Sequence, residues 1–449
     1  MDEQEYERDE RLLEARRLKR LELRRKRIIR SRIFYGVILL VLVTVIVLIV
    51  RSCGKKEPEK VPEVIDPKPP VTTPVDKPDE SATLAAVGDI MVYDEQLADA
   101  KQADGSYDFL PSLAPVADLL TAADLTVGNY EANFGEAPYS GYPNFIAPAA
   151  LATTLAGLEF DILQTANTYS IQNGLSGLSS TIRTIREAGM KTLGTYLSAD
   201  DKTQNRVVVK DVGGIKFAFI GFTKGLNNLR LPEGSGYCVD LLYTDYDSTY
   251  NQIDKTAILE ATAAAKATGA DVIVSMLHWG SEYDVAASAS QKELTDLLVQ
   301  NGVDVILGSH SHIVGPMERR TVTVDGAEKE VFIAYSLGNF LSAMKKDNQN
   351  SINYSVVLNL QFTKDGNTGE TTISSADYVP LYIRDNGESA LNRYEVSNIT
   401  KVFAENPDAA TKTLLEGALS TLSTNIGTQV TAAAKPASTN QTDTTGGSQ

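Results

Sequence analysis

Along residues 81–424, apolar runs of five to eight residues alternate with stretches of helical period. The runs read "ATLAAVG", "DLTVG", "FDILQTA", "KTLGT", "KFAFIGF", "DVIVSML", "VDVILG" and "VFIAYSLG". Between them lie segments such as "SGLSSTIRTIREAG", "TAILEATAAAKATG" and "SQKELTDLLVQNG", whose closing glycines are ordinary helix stops. Short continuous apolar runs between helical segments predict buried strands in an α/β architecture. Two later stretches, "YSVVLNLQFTKDG" and "GETTISSADYVPLYI", alternate with a period of two and predict hairpin strands at one side. No internal repeat is present.

A different pattern occupies the start of the chain. Residues 33–50, "IFYGVILLVLVTVIVLIV", hold no charge over 18 positions, which predicts a transmembrane helix of about minimal spanning length. A cleaved signal peptide fits less well, because a head of 32 residues precedes the run and "VRSC" places an arginine where a lipoprotein cleavage box wants a small or aliphatic residue. Residues 1–32 hold 12 lysines and arginines, so the positive-inside rule puts that basic juxtamembrane segment in the cytoplasm and everything after residue 50 outside. Residues 51–80 form a proline-rich extracellular linker; its stretch 54–80 has 7 of the chain's 17 prolines and reads as a stiff, polyproline-like spacer. Residues 425–449 are rich in Ser, Thr, Asn and Gly and read as a disordered polar tail.

Charge narrows the partners. Of 42 basic and 58 acidic residues, the head takes 12 and 8, which leaves a formal net of −20 for the exported part. Such a surface repels nucleic acid. The cysteines, Cys53 and Cys238, stand far apart and give no disulfide framework.

Candidate chemistry gathers behind the apolar runs. Asp89 closes "AAVGD", Asn129 and Glu131 sit in "TVGNYEAN", Asn167, Thr168 and Tyr169 in "QTANTYS", His278 and Glu282 in "SMLHWGSEY", and His310 and His312 in "LGSHSH". The chain has only 3 histidines, and all of them follow apolar runs. In open α/β sheets loops converge at the carboxyl ends of strands, so five polar motifs in that position predict one shared pocket. On an extended backbone His310 and His312 would project to the same side. Three imidazoles and two carboxylates make a plausible shell for one or two divalent ions such as Zn²⁺, Mn²⁺ or Fe²⁺. Trp279, the sole tryptophan, is either a pocket wall or a core residue, and "ASASQKELT" reads as a capped helix start.

The series "VGDIM", "GNYEAN", "AN..S...G..GL..T", "HWGSEY", "GVDVILGSHSHIV" and "YSLGNF" resembles, in order and over about residues 82–342, the CapA family of capsule-synthesis proteins. That family, implicated in poly-γ-glutamate production, belongs to the calcineurin-like metallophosphoesterase superfamily. The resemblance implies a layered sandwich of two β-sheets flanked by helices with a metal site at the strand ends. It implies Asp89, Glu131, His278, His310 and His312 as metal ligands, Glu131 bridging, with Asn129, Thr168, Glu282 and Asn339 around them. It also implies a cell-membrane protein, single-pass, with an extracellular domain near capsule synthase or export membrane proteins and an anionic surface polymer.

The chain departs from the family at one motif. Where the pattern reads Ala-Asn-Asn-His-Ser, this sequence has Ala166-Asn167-Thr168-Tyr169-Ser170. The resemblance implies a metal ligand at the second Asn and a general acid or hydrogen-bond donor at the His. Asn167 and Tyr169 are the candidate catalytic residues that remain there. Two readings stay open: a protein assisting synthesis, export or attachment of a polymer such as poly-γ-glutamate, and an exported metal-dependent hydrolase of envelope phosphoester or amide bonds.

Overall fold

The computed structural model describes residues 76–433 except 325, 389 and 391. The segments read as basic head and spanning helix, nearly all of the linker, and the tail from 434 on lie outside the described residues. Among the described residues no helix is long and apolar enough to cross a membrane.

Two mixed sheets form the frame. The first runs in the order Tyr394–Asn398, Thr371–Asp385, Tyr354–Lys364, Glu80–Ile90, Leu125–Tyr130, Ile162–Gln164, Lys191–Leu193. The second runs Met317–Val324, Ala327–Ala334, Val305–Ser309, Val272–His278, Ile215–Thr223, Val208–Val212. Every apolar run named above supplies a strand, and those at the centre pair in parallel, as Val305–Ser309 does with Val272–His278. Parallel strands covered on both faces need continuous rather than alternating apolar sequence, and Val272–His278 and Val305–Ser309 are buried throughout.

The sheets face one another across a core in which Leu84, Val127 and Leu358 from the first meet Phe217, Val274 and Phe332 from the second. Helices Lys255–Ala267 and Ala289–Gln300 cover the far face of the second sheet, packing Ile258, Ala261, Leu294 and Leu298 onto Ile220, Ile273 and Ile306. The latter helix starts at a capping box: Ser288 Oγ accepts from the Gln291 backbone N–H at 3.2 Å, and Gln291 Oε1 accepts from the Ser288 N–H at 2.9 Å. That serine is a cap, as the sequence suggests.

The hairpin lies at one side of the first sheet, as the alternation predicts, with Tyr394–Asn398 beyond it. Tyr354–Lys364 pairs antiparallel with Glu80–Ile90 inside the first sheet, because its leading residues Val356, Val357 and Leu358 are apolar on both faces and fully buried. Helix Ala409–Ile426 closes over this region with Leu415, Ala418 and Leu422, and buried Ile426 and Val430 carry the fold past residue 424. Trp279 is core: it is 1% exposed, stacks on Tyr335 and donates its indole N–H to Tyr335 O at 2.9 Å.

One irregularity sets up the functional end of the molecule. Strand Glu80–Ile90 pairs with Tyr354–Lys364 as far as Ala86, then switches to Asn339–Leu341, with Asp89 opposite Asn339. On its other side the register with Leu125–Tyr130 slips between Ala86 and Asp89, a bulge that re-aims the Asp89 side chain. The switch requires Gly88 to lie almost on Gly338: a Cβ on Gly88 would sit 1.8 Å from Gly338 O. Gly88→Ala should therefore cost about 3 kcal/mol or more, at the upper end of overpacking penalties. Gly417, inside helix Ala409–Ile426 with open space around it, should gain about 0.5–1 kcal/mol as Ala. Urea midpoints of the two variants against the parent would check both signs.

Candidate metal centre

The strand ends converge as the motifs predict. Asp89 is the penultimate residue of Glu80–Ile90, Glu131 follows Leu125–Tyr130, His278 ends Val272–His278, and His310 and His312 follow Val305–Ser309. All five are at least nine-tenths buried. They form two overlapping groups whose ligand atoms lie within 4.8 Å of one another: Glu131 with His278 and His310, and Asp89 with Glu131 and His312. Glu131 alone belongs to both.

His310 and His312 do not reach the site along an extended strand. Both adopt left-handed backbone conformations, φ +97° and +59°, in the bend after Val305–Ser309. Such angles are uncommon for a residue with a Cβ, and strain of this kind is held by surrounding structure at functional sites. Its effect here is to split the pair, so that each imidazole serves a different group.

The residues around the ligands fix them. Asn129 Nδ2 donates to Asp89 Oδ1 at 2.7 Å and lies 3.3 Å from Glu131 Oε2, tying the two carboxylates together. Asn167 donates to Tyr130 O at 2.6 Å and to Asn129 Oδ1 at 3.3 Å, and its own oxygen accepts from the Tyr169 N–H at 3.1 Å. Its amide is thus consumed in positioning Asn129 and is not free for catalysis. Asn339 Oδ1 lies 3.0 Å from His312 Nδ1, and Ser309 Oγ lies 3.0 Å from His278 Nδ1. Partners of this kind fix ring orientation and tautomer in metal-binding histidines. Thr168 Oγ1 touches His278 Nε2 at 2.8 Å and His310 Nδ1 at 3.4 Å. Glu282 is exposed at the rim and acts on Glu131, His278 and His312 through its charge, with no hydrogen bond to them.

Electrostatics separates the three imidazoles. Burial drives His278 down to about 3 and holds His310 well below its ordinary value, so both are neutral. Burial opposes charge on His312 too, but the Asp89 and Glu131 carboxylates outweigh it and raise it to about 9. Glu131 is itself pushed well up, by burial first and by Asp89 second. Buried Asp89 Oδ2 has His312 Nδ1 at 3.1 Å, and Glu131 Oε1, buried without a hydrogen-bond partner, has His278 Nε2 at 3.2 Å. With bonds of about 2.0–2.2 Å, neighbouring ligand atoms around a tetrahedral Zn²⁺ lie ~3.3 Å apart. These oxygens and their spacing fit a divalent ion, and the two groups could hold one each.

Tyrosines ring the mouth. Tyr169 packs edge-on against Phe145 at 4.7 Å, and Tyr283 stands 6.2 Å from the His312 ring, ring centre to ring centre. Burial and the field of Glu131 and Glu282 push Tyr93, Tyr169 and Tyr283 above the usual phenol range, so these hydroxyls stay protonated and act only as neutral partners. Tyr283 lies inside the "HWGSEY" motif and Ser309 inside "LGSHSH", so both were within reach of the sequence reading. Tyr93 and Lys224, whose charge bears on His278 and His310, carry no spacing signal.

Metal content discriminates the two groups. Elemental mass spectrometry of the purified chain should find one or two equivalents of transition metal. His310→Ala and His312→Ala should each lose part of it, and Glu131→Gln more than either. A chain metal-free after reconstitution with Zn²⁺ and Mn²⁺ would defeat the assignment.

Comparisons with known proteins place this geometry. A family model described as bacterial capsule synthesis protein PGA_cap matches residues 83–344, more than half of the chain. The chain is 26% identical over 271 residues to the PGA biosynthesis protein CapA of Bacillus subtilis (strain 168), covering 59% of this chain and 64% of that protein. It is 27% identical over 272 residues to the capsule biosynthesis protein CapA of Bacillus anthracis, covering 58% and 60%. The match therefore spans less than two thirds of either relative. Among solved structures, a putative 5'-nucleotidase from Staphylococcus aureus is similar at 14% identity and a TM-score of 0.41, covering 76% of this chain and 58% of that one. A phosphatase from Mycoplasma pneumoniae is similar at 11% identity and a TM-score of 0.38, covering 67% and 94%. From Thr83 to Met344, which takes in the whole second sheet, the parallel part of the first and every residue of the candidate centre, the chain belongs to the PGA_cap family of bacterial capsule synthesis proteins.

Proposed function

We propose that this chain is a membrane-anchored, outward-facing capsule-synthesis protein that assists the making, export or attachment of a surface polymer such as poly-γ-glutamate. The observation that carries this reading is the family match, which covers all five ligand candidates. The uncharged run 33–50 behind a basic head supports an anchor with the domain outside. A net-acidic domain repels an anionic polymer in bulk, so contact with one requires local positive charge. Divalent ions at Asp89, Glu131 and the three histidines would supply it: bound there, they would offer Lewis-acid sites for carboxylate or phosphate oxygens.

The second reading, an exported metal-dependent hydrolase, is favoured by the shared carboxylate Glu131 between two ligand groups. Against it stand Thr168, whose hydroxyl bonds to ligand histidines, and Tyr169, whose phenol is held protonated. A neutral phenol can donate a hydrogen bond, but it cannot return a proton at the pace of an imidazole poised near neutrality.

In the bacterium that carries it, deletion of the gene should lower cell-surface polymer. The parent chain should restore it, and Glu131→Gln should not. Unchanged polymer after deletion would sink the assembly reading. For the hydrolase reading, Thr168→Asn with Tyr169→His should raise phosphodiesterase turnover by about 10²-fold or more, the scale of general acid–base catalysis. A folded, metal-loaded double mutant with no gain would exclude a scaffold disabled only at those two positions.

A further inference from the structure

A cavity of about 340 Å³ opens apart from the metal centre, a size within the range of small-ligand pockets. Its walls are the end of strand Thr371–Asp385, strand Tyr394–Asn398, helix Ala409–Ile426 and the segment 342–345. None of the five ligand candidates lines it.

Its charge runs against that of the domain. Two cations, Lys345 and Arg384, and one acid, Asp385, line it. Asp385 is already neutralised from behind, accepting from Arg393 at 3.1 and 3.2 Å. Lys345 is paired with Glu95 at 3.1 Å. Half-buried Arg384 has no ion pair and no side-chain hydrogen bond among the described residues. Its cross-strand neighbour Glu395 instead accepts from Ser397 Oγ at 2.6 Å. Tyr394, 3% exposed, also lines the cavity, with its hydroxyl beside the carboxylate of its cross-strand neighbour Asp385. A free guanidinium in a cavity whose one acid is already held is a donor without an acceptor, and the guanidinium fork matches a carboxylate or phosphate with two parallel bonds.

We infer that this cavity is a second binding site, independent of metal, for a ligand bearing an oxyanion, either carboxylate or phosphate, with Arg384 as its anchor. The site also lies close to the metal centre along the chain. From Asn339, which contacts His312, to Ser342 on the cavity wall is three residues, at most ~11 Å of chain. One extended ligand could therefore engage both places.

Calorimetric titration of the purified full chain, dialysed against EDTA so that no bound ion at the metal centre competes, with succinate and, separately, with inorganic phosphate tests this. One probe should bind saturably at one site, and the one that binds identifies the oxyanion. Arg384→Ala should weaken it at least tenfold and Arg384→Lys by less. Thermal unfolding would establish that each variant is folded, and Arg384→Gln replaces the Ala variant if that one is not. Saturable binding of neither probe, or binding equally tight in a folded Arg384 variant, would each overturn the assignment. Because the site needs no metal, a metal-free chain would leave this result unaffected.

Discussion

Two buried carboxylates govern the functional end of this molecule. Asp89 and Glu131 are at most 1% exposed and are clamped to one amide, Asn129 Nδ2. Like charges taken out of water beside one another are costly unless a cation or a proton joins them. The molecule's own answer is His312, raised to about 9 against its burial by these same carboxylates. The other two histidines are driven neutral by burial and keep lone pairs to offer. The two neutral imidazoles beside these carboxylates form a donor set for a divalent ion, and His312 joins it only by giving up its proton, since ligands must be deprotonated to bind.

The backbone is bent to serve that constraint. A register slip before Asp89, a strand switch made possible by the contact of Gly88 with Gly338, and two left-handed histidines all fall within a few residues of the ligands. Elsewhere the central strands are regular, with one further register shift at Gln361/Phe362 in the hairpin of Tyr354–Lys364 and Thr371–Asp385. Irregularity concentrated at strand ends, with regular strands behind it, is how a rigid scaffold fixes side chains to within fractions of an ångström.

What the sequence disclosed and what it hid follow from the same physics. Buried parallel strands must be apolar throughout, so runs such as "DVIVSML" and "VDVILG" announce themselves, and the polar residue after each is conspicuous. Pairing order leaves no such trace: Tyr354–Lys364 alternates like an outer strand yet lies inside the first sheet. The grouping of the histidines was hidden as well, because His310 and His312 are separated by φ angles that no spacing rule encodes. Arg384 was invisible for a further reason. An arginine in an alternating strand looks like any solvated residue until its neighbours, Asp385 and Glu395, are seen to be held by Arg393 and Ser397.

The Thr168-Tyr169 pair then takes a definite meaning. Thr168 is not a passive gap where an amide might have stood, since its hydroxyl bridges His278 and His310. It draws on the same nitrogens that a metal would use, and a metal that binds must displace it or accept it as a weak neighbour. Tyr169 is tucked against Phe145 and kept protonated, with its backbone N–H held by Asn167. Both residues are therefore built into the site, packed and bonded as part of its wall. Under the proposed function, five ionisable ligand candidates beside a protonated phenol at position 169 would hold charged oxygens. That balance is what separates the polymer-handling reading from the hydrolytic one.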